Sequence, residues 1–464
     1  MTREPYVFQA ADGQKTEAER GRLLVPENRS SSRTNSIELA FVRFKSTAAE
    51  PGLPIIYLAG GPGGSGIATA GGPRFPQFMA MRAVADVIAL DQRGVGQSKP
   101  NLECRQTLDY PPDRPGDREE MLRLYRERSR ACARFWTEQG VDLFAYNTIE
   151  NADDVDALRE ALGMEKISLW ATSYGTHLAL TVIRRHEEHI HRAVLAGVEG
   201  PDHTLKMPGD VQRHFEELAR LYREDPEVGH FLPDLLEWVD RVCARLEKEP
   251  VAVVITDPQT GERINVTVGS FDLQLFAAAL PGRIQAIQNF PAAAHAISNG
   301  DFTPLATFAL EFRRAPLPPA MSLMMDCASG ASEGRWARFR QEAAAFPLAS
   351  LADFPYPDIC DAWGSPDLGP AFRSPIRAHL PVLFMSGALD GRTPANNVEE
   401  IRDEFPNSVH VLIEGTAHGD HLLLSTPLTG QVMMEFLSGR PVSTTRITLP
   451  PPRLETGTSR PDDL

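Results

Sequence analysis

The sequence predicts an α/β fold in which a mostly parallel central sheet is flanked by helices and interrupted by an inserted, mainly helical cap. Three observations predict it. Short apolar runs that stop at glycine-rich loops recur at 54–59, 85–90, 167–170 and 193–197, the pattern of strands buried on both faces. From about 202 to 375 the pattern turns amphipathic and helical. Strand-like runs then resume at 381–386 and 409–413, so the sheet brackets the insertion.

The elements follow in order. The segments 20–26 and 37–44 alternate and are joined by a polar turn, which suits an antiparallel entry to the sheet. Pro54-Ile-Ile-Tyr-Leu-Ala59 ends in Gly60-Gly-Pro-Gly-Gly-Ser-Gly66, and Ala85-Asp-Val-Ile-Ala-Leu90 ends in Asp91-Gln-Arg-Gly94. A helix capped at Asn151 leads to the strand Ile167–Trp170, a tight turn and a second helix. Within the insertion, 251–256 and 264–268 read as a hairpin. A helix is expected around Asn397 to Phe405 and a last one over 428–437. The expected organisation is a core over 1–201 and 376–440, a cap over 202–375, and a Pro-, Thr- and Arg-rich extended tail over 441–464.

Composition narrows the function. The 464 residues are 42% hydrophobic and 23% charged, ordinary for a folded protein. A formal charge of -15 disfavours nucleic acid and anionic membranes, which reward clustered Lys and Arg. No run of 18 apolar residues exists, so no transmembrane segment is expected. The first residues lack the basic-then-apolar pattern of a leader; the compartment stays open between cytoplasmic and, with a leader removed, secreted or periplasmic. Oligomeric state is not readable. The five cysteines have no C-x-x-C spacing, which argues against a zinc ribbon. Bridges Cys104–Cys132 and Cys327–Cys360 with Cys243 left over, or five free thiols, fit the spacing equally.

The chemistry is read from three loops. Ser173 lies between a strand and a helix in Ala171-Thr-Ser-Tyr-Gly175, where a sharp turn would project its hydroxyl. Asp390 follows the strand 381–386, and His418 follows 409–413. Ser, Asp, His, each behind the carboxyl end of its own strand, is the order expected of an α/β-hydrolase. Ser173 is then the nucleophile, His418 the general base and Asp390 the acid that orients it. The backbone N–H groups of Gly61 and Tyr174 are the expected oxyanion hole. Gly61-x-Gly63-x-x-Gly66 with Asp91 also spells a dinucleotide fingerprint, but Pro62 and the poor helix after it argue against one, and no cofactor is expected. Arg93 is expected to tie neighbouring loops together. His421 has no accompanying ligand set, so no metal is expected.

Gly60-Gly-Pro-Gly-Gly64, Asp91-Gln-Arg-Gly-x-Gly-x-Ser98, Ser173-Tyr-Gly-Thr176 and Ser386-Gly-x-x-Asp390 with Arg392-Thr-Pro394 ahead of Gly415-x-x-His418-Gly419 resemble the proline iminopeptidase and tripeptidyl aminopeptidase family of α/β-hydrolases. The resemblance covers about 18–440 and thins in the cap. It departs at Ala59, where relatives commonly carry His, and at Ala171, which replaces a glycine. It implies release of proline or short peptides from peptide N-termini through an acyl-enzyme. The alternative is a carboxylesterase, lactonase or amidase acting on small non-peptide acyl compounds. An aminopeptidase needs carboxylates for the substrate ammonium. Glu199 and Asp202 are the candidates, with the cap acids Asp326 and Asp361 behind them.

Overall fold

The computed structural model describes residues 1–32 and 34–457. Among them are the strands β1 (Thr2–Gln9), β2 (Lys15–Pro26), β3 (Ser36–Phe44), β4 (Ile55–Leu58), β5 (Val87–Asp91), β6 (Ile167–Thr172) and β7 (Ile190–Ala196). They continue with β8 (Val251–Thr256), β9 (Arg263–Val268), β10 (Val382–Gly387), β11 (Ser408–Glu414) and β12 (Arg446–Thr448). Ten form one sheet in the order β1-β2-β3-β5-β4-β6-β7-β10-β11-β12, and β8-β9 form a separate hairpin. The pairs β1-β2, β2-β3 and β3-β5 are antiparallel. From β5 to β12 every pair is parallel.

Alternation along the central strands fills both faces. Ile56, Leu58, Ile88, Leu90, Leu169 and Ala171 belong to one buried cluster, while Ile55, Tyr57, Val87, Ala89 and Trp170 belong to another on the opposite face. That is why these strands read as continuous apolar runs.

Between β7 and β10 the chain forms helices around a third cluster. Phe215, Leu218, Tyr222, Trp238, Phe290 and Leu305 are among its buried members. Leu389 and Ala417, the neighbours of Asp390 and His418, join this cluster. The helix Ala320–Ser329 instead packs Met321, Met324 and Met325 into the main core. Disulfides join Cys104 to Cys132 and Cys327 to Cys360, and Cys243 is free.

Three details depart from the sequence expectation. The helix expected at Asn151 spans Thr148–Ala161 and is capped by Asn147, whose side chain accepts from Glu150 N; Asn151 is buried inside it and donates to Gln92. The segment expected as a helix over 397–405 is only a short helix, Asn396–Glu399, followed by a 3-10 turn. The tail contributes β12 to the sheet edge, and Leu454 is buried in the insertion's cluster; its last seven residues, 458–464, lie outside the described ones. No described helix is long and apolar enough to cross a membrane.

Candidate active site

β6 ends at Thr172, and the helix Tyr174–His186 begins two residues later, so the chain reverses within Ser173. Its φ of 57° and ψ of -131° lie where a non-glycine residue is strained. The turn closes because its neighbours are small. A Cβ on Gly175 would stand 2.2 Å from the Leu58 carbonyl oxygen, and one on Gly60 would stand 2.8 Å from Ser173 Cβ. Ala171 carries its methyl into the packed core, so the glycine usual at that position is not sterically required here.

The loops after β10 and β11 bring two further side chains to the same rim. His418 Nε2 is 3.0 Å from Ser173 Oγ, and His418 Nδ1 is 2.7 Å from Asp390 Oδ2. A carboxylate accepts only, so Nδ1 carries the proton and leaves Nε2 to accept from the serine hydroxyl. Asp390 also accepts the Arg392 and Thr393 backbone N–H groups at 2.9 and 2.8 Å and the Thr393 hydroxyl at 2.9 Å. Burial alone would raise its carboxyl; His418 and the Thr393 hydrogen bonds outweigh this and hold it below the ordinary value. A hydroxyl so linked can lose its proton to the imidazole while the carboxylate steadies the resulting charge. Thr393, which sequence gave no role, also lies 3.0 Å from His418 Nδ1.

Tyr174 is the first residue of its helix, so its N–H has no intrahelical acceptor. Gly61 lines both cavities that meet at Ser173. The glycine loop is held from the insertion, where Ser322 Oγ donates to the Pro62 carbonyl at 2.7 Å. Below it, Asp91 accepts from Ser65 Oγ at 2.5 Å and from Ile67 N at 3.0 Å. Arg93, fully buried, donates to Asp154 at 2.7 Å, to the Glu27 carbonyl at 2.6 Å and to the Ala145 carbonyl at 2.7 Å, tying the loop after β5 to the helix Thr148–Ala161, the turn after β2 and the 3-10 turn Leu143–Ala145.

The first cavity is a cleft of about 990 Å³, walled by Arg74, Leu275, Phe308 and Phe312 among others. The second, about 260 Å³, is lined with charge: Glu199, Asp326 and Asp353 against Lys206 and Arg392. Lys206 Nζ pairs with Glu199 at 2.6 Å, and Arg392 with Asp353 at 2.5 Å. Burial would raise Glu199, but Lys206 outweighs it and keeps the carboxyl low. Among the described residues Asp326 has no such partner. Burial, reinforced by the charge of Glu199, pushes its carboxyl well above the ordinary value.

Of the candidate acids, Glu199 and Asp326 thus face the site. Asp202 is turned away, accepting the Ser332 N–H at 2.7 Å and the Ser332 hydroxyl at 2.6 Å, because it serves the start of the distant helix Glu333–Ala345. Asp361 is paired with Arg126 and Arg130 at the surface. His421 Nδ1 accepts the Ala417 N–H at 2.9 Å, a packing role. Among the described residues, one group with metal-ligand spacing exists: Asp156, His186 and His189, whose ligand atoms lie within 4.8 Å of one another. It stands at the far end of the helix from Ser173, roughly 20 Å away by helical rise, and Asp156 is already paired with Arg159 at 2.6 Å.

Residues 54–233 match the family model described as alpha/beta hydrolase fold, and residues 352–438 match that described as TAP-like protein. The chain is 28% identical over 188 residues to the serine protease Hip1 of Mycobacterium tuberculosis, covering 39% of this chain and 36% of that one. It is 28% identical over 200 residues to the tripeptidyl aminopeptidase of Streptomyces coelicolor, covering 39% and 35%. Against the putative hydrolase YuaR of Escherichia coli the identity is 23% over 405 residues, 82% of this chain and 77% of that one. The match thus spans little more than a third of the length of the first two relatives.

Proposed function

From the premise that the chain is a hydrolase of the α/β-hydrolase family with a TAP-like segment, we propose that it is a serine aminopeptidase. It would release proline or a short peptide from peptide N-termini through an acyl-enzyme. The observation that carries the serine mechanism is the run of contacts from Asp390 through His418 to the Ser173 hydroxyl, 2.7 and 3.0 Å long. His418 takes the hydroxyl proton as Ser173 attacks the scissile carbonyl. The Gly61 and Tyr174 N–H groups receive the oxyanion, and His418 returns the proton to the departing amine. Water, deprotonated by the same imidazole, then releases the acyl group and restores the hydroxyl.

The charged pocket supports the aminopeptidase reading. Two of its three acids are neutralised by Lys206 and Arg392, which leaves Asp326 as a partly desolvated carboxyl with no ion-pair partner among the described residues. A substrate ammonium supplies that cation and is worth most where water is scarce. The TAP-like match at residues 352–438 adds support, because it includes Asp353, Arg392 and His418. In this reading the residues of the insertion that line the pocket form a cap that selects the acyl group.

The test compares proline and tripeptide anilides bearing a free amine, their N-acetylated forms, and short-chain p-nitrophenyl esters. Turnover of anilides that disappears on acetylation is the expected result. Ester turnover without anilide turnover would replace the aminopeptidase by a carboxylesterase, lactonase or amidase.

A further inference from the structure

The helices of the insertion line a third cavity of about 490 Å³, open to solvent, that the proposed reaction does not use. Phe276, Leu280, Phe290, Ala293 and Pro304 form its apolar wall. It adjoins the 990 Å³ cleft, since Ala279, Arg283 and Phe308 line both. A continuous path therefore runs from Asp326, past Ser173 and along the cleft, to an apolar chamber with Arg283 at its mouth.

The mouth is electropositive for two separate reasons. Arg283 is exposed and has no acidic partner among the described residues. The helix Ile284–Ser298 begins at Arg283 with no side-chain cap and no acid in its first turn, so its free N–H groups and positive dipole end open beside the chamber. Gln285 and Ala286 of that turn line the cavity. The other charges in the cleft are placed differently. Arg74 is paired with Asp420 and Arg392 with Asp353, while Glu311 lines the cleft but not the chamber.

We infer that this chamber binds the C-terminal residue of a short peptide substrate, its apolar side chain inside and its free carboxylate on Arg283 and the helix N-terminus. The inference rests on the aminopeptidase reading and extends it to the departing half of the substrate. Charge then fits at both ends: an ammonium at Asp326 on the acyl side, a carboxylate at Arg283 on the leaving side. An extended protein chain, which has no carboxylate at that point, forgoes the second contact, so the enzyme is built for short peptides.

The experiment measures kcat/KM for short peptides that share an N-terminus and end in Leu, Leu-amide or Gly. In the unmodified protein the acid exceeds the amide, and Leu exceeds Gly, each by roughly tenfold or more, chiefly through KM. Arg283→Gln brings the acid-to-amide ratio near one and leaves Leu favoured over Gly. Ala286→Trp, which fills the chamber from a half-buried helix position, removes the Leu preference and leaves the acid favoured. Because each variant is judged by ratios within itself, a general loss of activity does not mimic the result. Peptide turnover with ratios near one in the unmodified protein, or ratios that survive both substitutions, overturns this inference alone. Ester turnover with no peptide turnover overturns the aminopeptidase reading and this one with it.

Discussion

Thr393 and His418 meet through a hydroxyl that stands 3.0 Å from Nδ1 while donating to Asp390 Oδ2 at 2.9 Å. The hydroxyl fixes the carboxylate oxygen that the imidazole uses, so it governs ring orientation without touching the substrate. Thr393→Val keeps the shape and removes that donor. The expected outcome is a kcat lowered roughly tenfold with little change in KM, and Thr393→Ser restores most of it. Steady-state kinetics of the two variants check this.

Ser173→Ala removes the proposed nucleophile from a turn whose backbone is set by Gly60 and Gly175 packing. Turnover should fall by roughly four to six orders of magnitude, while the thermal midpoint stays the same or rises as strain at the turn is relieved. Activity within tenfold of the unmodified enzyme, measured on freshly purified protein, would remove Ser173 from the mechanism.

Asp326→Asn keeps the pocket's size and removes its uncompensated charge. KM for free-amine anilides should rise roughly tenfold or more, whereas turnover of an N-blocked ester changes little. A pH effect follows from the same group. Its carboxyl titrates above the ordinary range, so acidification protonates it while ordinary aspartates are still charged. The KM for amine substrates therefore rises on the acid side, and the Asn variant lacks that rise.

His214 supplies a pH dependence of stability. It is buried in the insertion against Gly391, and its Nε2 has no hydrogen-bond partner among the described residues. Burial lowers its pKa from 6.5 to about 4. Between these values the unfolded chain holds the proton more often than the folded one, so stability is full above pH 6.5 and is lost as pH falls toward 4. The loss amounts to about 3 kcal/mol. Denaturant unfolding at pH 7 and pH 4.5 should show it, and His214→Leu should flatten this part of the curve.

The parts of this fold that sequence makes visible are those with a strong local pattern. The central strands are buried on both faces, so they read as apolar runs, and the three loops at their carboxyl ends carry Ser173, Asp390 and His418. Other parts are silent for physical reasons. β1 is mostly exposed and pairs on one side only, and β12 is three residues long; neither has enough buried side chains to mark it. The helix Arg118–Glu138 is rich in arginine and glutamate, and its apolar stripe is interrupted by charge. Its Asp117 cap, which accepts from Glu120 N, is the signal that could have found it. In the pocket, nothing in the sequence ranks Asp326 above Glu199 and Asp202. Its isolation depends on Lys206 choosing Glu199 and Arg392 choosing Asp353, pairings between residues far apart in the chain. Asp202 shows the converse, since three residues beyond Glu199 the chain has already turned toward Ser332.

The hydrogen bond from Ser322 to the Pro62 carbonyl has a bearing on how substrates enter. Ser322 belongs to the same helix as Asp326 and Cys327, and Cys327 is covalently bonded to Cys360. Lifting that helix to admit a peptide would release the strap over the loop that carries Gly61. Entry by a hinged door would thus unseat that loop each time it opened, so traffic is expected through the standing cleft, with the helix kept in place throughout turnover.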